Sequence, residues 1–85
     1  MKFYAEIKVM PLRNLLDPQG KAVGNTLDGL GYNQVSNVRI GKHIQMEINA
    51  ENEESAKQIA DEICHKVLAN QIMEYYKITI KKEEY

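Results

Sequence analysis

Apolar and polar residues alternate without a break from Lys2 to Val9. Phe3, Ala5, Ile7 and Val9 fall on one side of an extended chain, and Lys2, Tyr4, Glu6 and Lys8 on the other. Strand side chains alternate between faces, so this segment predicts a strand with one buried face, ended by Pro11 and the stretch up to Leu16. Asp17-Pro18 then predicts a helix start. Aspartate at the N-cap accepts from free backbone N–H groups, and proline is tolerated at the first helical position. Val23, Thr26, Leu27 and Leu30 recur at helical spacing, and Gly31 supplies a stop. Gly24 and Gly29 inside that helix each cost about 1 kcal/mol against alanine, which points to close packing or a weak helix.

Val35, Val38 and Ile40 lead into Gly41-Lys42, and Ile44, Met46 and Ile48 follow. Two alternating runs around a short glycine-containing connection predict a hairpin. Asn52 caps a second helix. Glu53 and Glu54 sit in its first turn, where they suit the helix dipole, and Asn70 ends it. Its apolar stripe is Ala56, Ile59, Ala60, Ile63 and Val67. Tyr76, Ile78 and Ile80 form the inward face of a last strand, opposite Tyr75, Lys77, Thr79 and Lys81, and Lys82–Tyr85 is expected to fray. The element order βαββαβ predicts one α+β domain over residues 1–85. It is a two-layer sandwich, ferredoxin-like or related, with an antiparallel sheet, two helices on one face and right-handed βαβ crossovers.

Composition narrows what such a domain does. With 85 residues, 44% of them hydrophobic, the chain buries roughly two-thirds of its unfolded surface. That core is marginal, and association would help it. Eleven basic residues against twelve acidic ones lack the surplus a nucleic-acid binder uses to meet phosphates. The single cysteine, Cys64, forms no internal disulfide and fits a reducing, cytoplasmic setting. No run approaches the roughly 18 apolar residues of a membrane span.

Candidate chemistry is thin. Cys64 and His65 are neighbours in sequence but about 100° apart around a helix. The thiol lies at the edge of the apolar stripe as a packing residue, and the imidazole faces solvent. His43 and His65 sit on different elements, with no ligand spacing typical of a metal site. Asp17-Pro18-Gln19-Gly20-Lys21 opens a helix, where free N–H groups attract anions, but Asp17 would occupy those donors and repel a phosphate. Glu51, Glu53, Glu54, Asp61 and Glu62 read as a solvated face. No catalytic, cofactor-binding or metal-binding residue is expected. The open sheet face is more informative: Tyr4, Glu6, Lys8, Arg39, Gln45, Glu47, Tyr75, Lys77 and Thr79 fall on it. Tyrosine and arginine favour a protein interface, while stacked RNA would call for Phe-rich strands and a basic balance.

Three stretches resemble the PurS family. Leu16-Asp17-Pro18-Gln19-Gly20-Lys21-Ala22-Val23 is similar to its first-helix signature, Leu30-Gly31-Tyr32 to its helix exit, and Val35-x-x-Val38-Arg39-x-Gly41-Lys42-x-Ile44 to its hairpin. The likeness extends from Phe3 to Ile80, and Pro11–Leu15 departs from it. The resemblance implies a subunit of phosphoribosylformylglycinamidine synthase, which makes formylglycinamidine ribonucleotide during purine biosynthesis. It implies no chemistry of the chain's own. ATP, Mg and glutamine would be used by the partner subunits, the synthetase PurL and the glutaminase PurQ. The chain would join the two and aid ammonia transfer, as a homodimer or tetramer. Gln19, Lys21, Arg39 and Lys42 are the partner-contact residues the resemblance marks. Two other readings stay open: a small-molecule-binding regulatory module and an RNA-binding domain.

Overall fold

The computed structural model describes residues 1–70 and 72–82. The alternating N-terminal segment is the central strand, β1 (Lys2–Pro11), and its apolar side chains Phe3, Ala5, Ile7 and Val9 are fully buried. Strand β2 (Lys42–Asn49) lies on one side and β3 (Glu74–Lys81) on the other, both antiparallel to β1. The register sets Ile7 opposite both Ile44 and Ile78, and Ala5 opposite both Met46 and Ile80. One face of the sheet is therefore apolar except at one end, where Lys42, opposite Val9, and Glu74, opposite Pro11, share it.

A single helix covers that face. Helix α2 (Glu53–Ile63) is capped by Asn52, whose side chain accepts from the Ser55 amide at 2.8 Å. A π-helical turn, Cys64–Leu68, continues it. Ala56, Ala60 and Cys64 are fully buried against the sheet. Small residues at this spacing let the helix backbone approach the strands closely. The expected stripe is correspondingly rotated: Ile59 stays 37% exposed and Val67 75% exposed, while Cys64 moves from the stripe's edge to its centre.

The α+β class, the antiparallel sheet and the two helices agree with the sequence pattern, but two details differ. The sheet has three strands, because Val35–Ile40 forms no hairpin with β2. Asn37 adopts a left-handed backbone (φ 56°), which breaks the alternation. The Ile40 amide donates to Asp17 instead of to a strand. Of the two expected crossovers, the one through α1 is absent, since β1 and β2 are antiparallel, while β2 and β3 run parallel to each other on either side of β1 and are joined through α2.

The second difference concerns α1 (Pro18–Gly29), which begins and ends as expected, capped by Asp17 and followed by Gly31 at φ 95°. It does not cover the sheet. Its only buried residue is Gly20, and neither core cluster contains any of its side chains. It stands off the end of the sheet, so the molecule measures 51 × 27 × 14 Å. The radius of gyration is 16.3 Å, against about 12 Å for a compact chain of this length. Of the expected fraying tail, Lys82 is exposed and residues 83–85 lie outside those described.

Candidate interaction site

What holds α1 in place is the join between three pieces of chain: the end of β1, the start of α1 and the segment before β2. Asp17 is its hub. One carboxylate oxygen accepts from the Gly20 amide at 3.1 Å, closing the helix cap, and the other accepts from the Ile40 amide at 2.9 Å. Those backbone donors, followed by the charge of Arg39, hold the Asp17 carboxyl below the usual aspartate range against the opposing effect of burial.

Arg39 completes the join. Its guanidinium donates to the main-chain carbonyls of Leu12 at 2.5 Å, Pro11 at 3.3 Å and Leu15 at 3.3 Å. The planar fork of arginine reaches several acceptors at once, which a point-charge lysine cannot. Gly20 and Gly41 fit the same logic of close approach. A Cβ on Gly20 would collide with the Val38 carbonyl, and one on Gly41 with the Val9 carbonyl and the Met10 sulfur. Gly24 faces Val38 at ordinary contact distance, and Gly29 faces open space. Neither Gly24 nor Gly29 is thus required by close packing; in α1 that role falls to Gly20.

Between α1 and the sheet end runs an open cleft of about 910 Å³, lined among others by Met10, Leu15, Val38 and Tyr75, with Arg13 and Lys21 at its margin. Gln19 and Lys21 are exposed on the first turn of α1. Lys42 is exposed at the start of β2, 3.8 Å from Glu74. Three of the four marked residues therefore present free surface around one end of the molecule. Arg39 differs. It leaves the open sheet face where the alternation placed it, becomes half-buried and spends its donors inside the chain. The hub at Asp17 was only half visible in the sequence: its capping role follows from position, but the Ile40 bond spans 23 residues and has no local signal.

Two further polar groups lie elsewhere. On the open sheet face, Glu6 sits 3.1 Å from His43, 3.8 Å from Lys81 and 3.9 Å from Lys8. Across the α2–β3 seam the Tyr76 hydroxyl donates to Asp61 at 2.6 Å, and the His65 ring meets Tyr76 edge-on at 5.7 Å. That bond, helped by burial, pushes the Tyr76 hydroxyl up to about 12. Burial, with Asp61 adding to it, pushes the Cys64 thiol up as well, so the sulfur stays protonated and unreactive. The bond ties α2 to β3. Cys64 and His65 point apart, one into the core and one to solvent.

Known proteins match the chain over almost its full length. The family model described as PurS, phosphoribosylformylglycinamidine (FGAM) synthase, matches residues 4–82. A phosphoribosylformylglycinamidine synthase subunit PurS of Synechocystis is 42% identical over 74 residues, covering 87% of this chain and 74% of the relative. The crystal structure of Methanocaldococcus jannaschii PurS, a subunit of formylglycinamide ribonucleotide amidotransferase, superposes with a TM-score of 0.85 at 34% identity. It covers 96% of this chain and 99% of that one. A chain in the structure of PurLQS from Thermotoga maritima superposes with a TM-score of 0.87 at 31% identity, covering 95% and 99%. Three strands, two helices and the Asp17-Pro18 and Gly41-Lys42 joins thus sit in a shape shared end to end with these proteins, and the chain belongs to the PurS family of phosphoribosylformylglycinamidine synthase.

Proposed function

We propose that this chain is the small, non-catalytic subunit of a phosphoribosylformylglycinamidine synthase in purine biosynthesis. It joins a PurL-type synthetase subunit to a PurQ-type glutaminase subunit and aids the passage of ammonia between them. The observation that carries this reading is the end-to-end likeness to a chain of the Thermotoga maritima PurLQS structure. ATP, Mg and glutamine are then consumed on the partner subunits, and this chain contributes surfaces. Gln19, Lys21 and Lys42 supply contacts from the exposed end, while Arg39 acts on contacts indirectly by holding α1 at its angle. The working unit is a homodimer in the cytoplasm. Among the described residues no helix is long and apolar enough to cross a membrane.

Assembly tests the reading. The chain is mixed with the PurL and PurQ homologues of its own source and run on a sizing column with light scattering. Co-elution of all three in one peak is expected in the presence of glutamine, ATP and Mg. Elution of this chain alone under all these conditions would contradict it.

A further inference from the structure

The sheet face turned away from α2 is basic on a chain that is not. Four lysines lie on it, Lys2, Lys8, Lys77 and Lys81, against two glutamates, Glu6 and Glu47. The whole chain carries a net charge of -1. The glutamates do not spread over the face evenly. Glu47 lies 3.6 Å from Lys2, and Glu6 draws in His43, Lys81 and Lys8.

One transverse row stays basic from edge to edge. The register sets Lys8 opposite His43 on β2 and opposite Lys77 on β3. Lys77 is exposed and makes no ion pair among the described residues. Like charges directly opposite on neighbouring strands destabilise a sheet, so the Lys8–Lys77 pair works against the fold that carries it. The next row, Met10 opposite Tyr75, lines the cleft beside α1. The basic row therefore runs into the exposed end, with Tyr75 42% exposed at the corner.

We propose that the open sheet face, centred on Lys8 and Lys77, docks an acidic protein surface of another subunit of the synthase. This rests on the bridging reading above and adds a surface to it. Charge selects the occupant. Two open faces pressed together would set lysine against lysine. The outer side of α2 has the matching sign, with Glu53, Glu54 and Glu62 exposed. One copy's α2 on the next copy's sheet, however, is a head-to-tail contact that gives an open stack rather than a closed assembly. A nucleic acid also has the right sign, but Glu6 at the centre of the face would meet its phosphates. A surplus of two charges is also small against the roughly six to ten phosphates that a strong binder neutralises. Area sets the role. Three strands about 4.8 Å apart, each rising about 3.4 Å per residue, give a face on the order of 400 Å². One side of a standard interface covers roughly 800 Å². The face thus extends the contact made by the exposed end and does not replace it.

Neutralisation separates docking from folding. Lys8→Gln combined with Lys77→Gln removes the repulsive pair, so circular dichroism melts should place the free double variant at or above wild type. Its affinity for the partner subunit should fall about tenfold, the scale of two exposed ion pairs. Binding is read by interferometry, with the PurL and PurQ homologues of the same source offered separately and together to the full chain. Wild-type affinity should weaken as salt rises from about 0.05 to 0.3 M, and the double variant should respond less. Lys57→Gln combined with Lys66→Gln removes as much charge from α2 and should leave affinity within about two-fold. Wild-type affinity in the Lys8–Lys77 variant, or an equal loss in the α2 control, would overturn the docking face and leave the bridging role standing. A labelled single-stranded RNA held by wild type and lost by the same variant would overturn it in favour of nucleic acid. A wild type that binds neither subunit would overturn both.

Discussion

Arg39→Met keeps an apolar stem of similar reach and removes every donor from the join that holds α1. The short bond to the Leu12 carbonyl is a charge-assisted contact of about 2 kcal/mol. The bonds to Pro11 and Leu15, both 3.3 Å, contribute about 0.5 kcal/mol each. The Arg39 Nε is enclosed with no partner among the described residues, which subtracts about 1 kcal/mol. The net loss is about 2 kcal/mol, or roughly a 30-fold shift in an opening equilibrium. Because no side chain of α1 enters either core cluster, the loss should stay local. Hydrogen exchange followed by mass spectrometry reads both size and place. The amides of residues 21–31 and of Ile40 should exchange about 30-fold faster than in wild type, while those of β1 keep their protection. Arg39→Lys should recover less than half of the difference, since an ammonium cannot reach three separated carbonyls. Unchanged protection in α1 would refute the clamp. An equal loss in α1 and β1 would refute the separation of α1 from the sheet core.

The glycines should respond with opposite signs in urea melts. Gly41→Ala should destabilise by about 2 kcal/mol, since its Cβ meets the Val9 carbonyl and the Met10 sulfur. Gly24→Ala should stabilise by up to about 1 kcal/mol, its nearest neighbour being Val38 at 3.7 Å. Asp17 has a lowered carboxyl, so its contribution is complete above the ordinary value of 3.8 and is lost as pH falls from there through the folded value. Exchange protection of α1, corrected for intrinsic rates, should weaken over that range in wild type, and Asp17→Asn should flatten the dependence. Tyr76 has a raised hydroxyl, so its contribution is complete below pH 10 and is lost as pH rises toward about 12. Tyr76→Phe should remove one high-pH step from the ultraviolet titration of the folded protein and reduce the slope of stability against pH in that window.

Legibility in the sequence followed the range of the forces involved. The strands β1 and β3 and both helix caps rest on period-two alternation or on contacts three residues apart, and those patterns are local. Val35, Val38 and Ile40, before β2, satisfy a strand pattern, while what decides their conformation lies elsewhere. Asp17 claims the Ile40 amide, Arg39 turns toward residues 11–15, and Asn37 reverses the backbone. Each of those bonds joins residues more than twenty apart and leaves no mark on nearby spacing. The stripe on α1 is expected to lie on the chain's own sheet, but Val23 and Leu30 stay exposed and no α1 side chain enters the core, because an apolar stripe does not itself say where the helix is held. On α2, small side chains outcompeted larger ones for the sheet: Ala56, Ala60 and Cys64 allow close approach, which displaced Ile59 and Val67 outward. Of the marked contact residues, Gln19, Lys21 and Lys42 lie exposed as expected, and Arg39 has an internal task that its place in an alternating run concealed.

On the proposed function, this chain lends the synthase surfaces rather than chemistry. Steady-state turnover with the PurL and PurQ homologues of the same source, measured with and without this chain, tests it most directly when glutamine and ammonia are supplied in separate assays. Omitting the chain should abolish most of the glutamine-dependent rate and leave the ammonia-dependent rate within about two-fold, a change of only about 0.4 kcal/mol in barrier. Equal glutamine-dependent rates with and without the chain, or a parallel collapse of both rates, would contradict it.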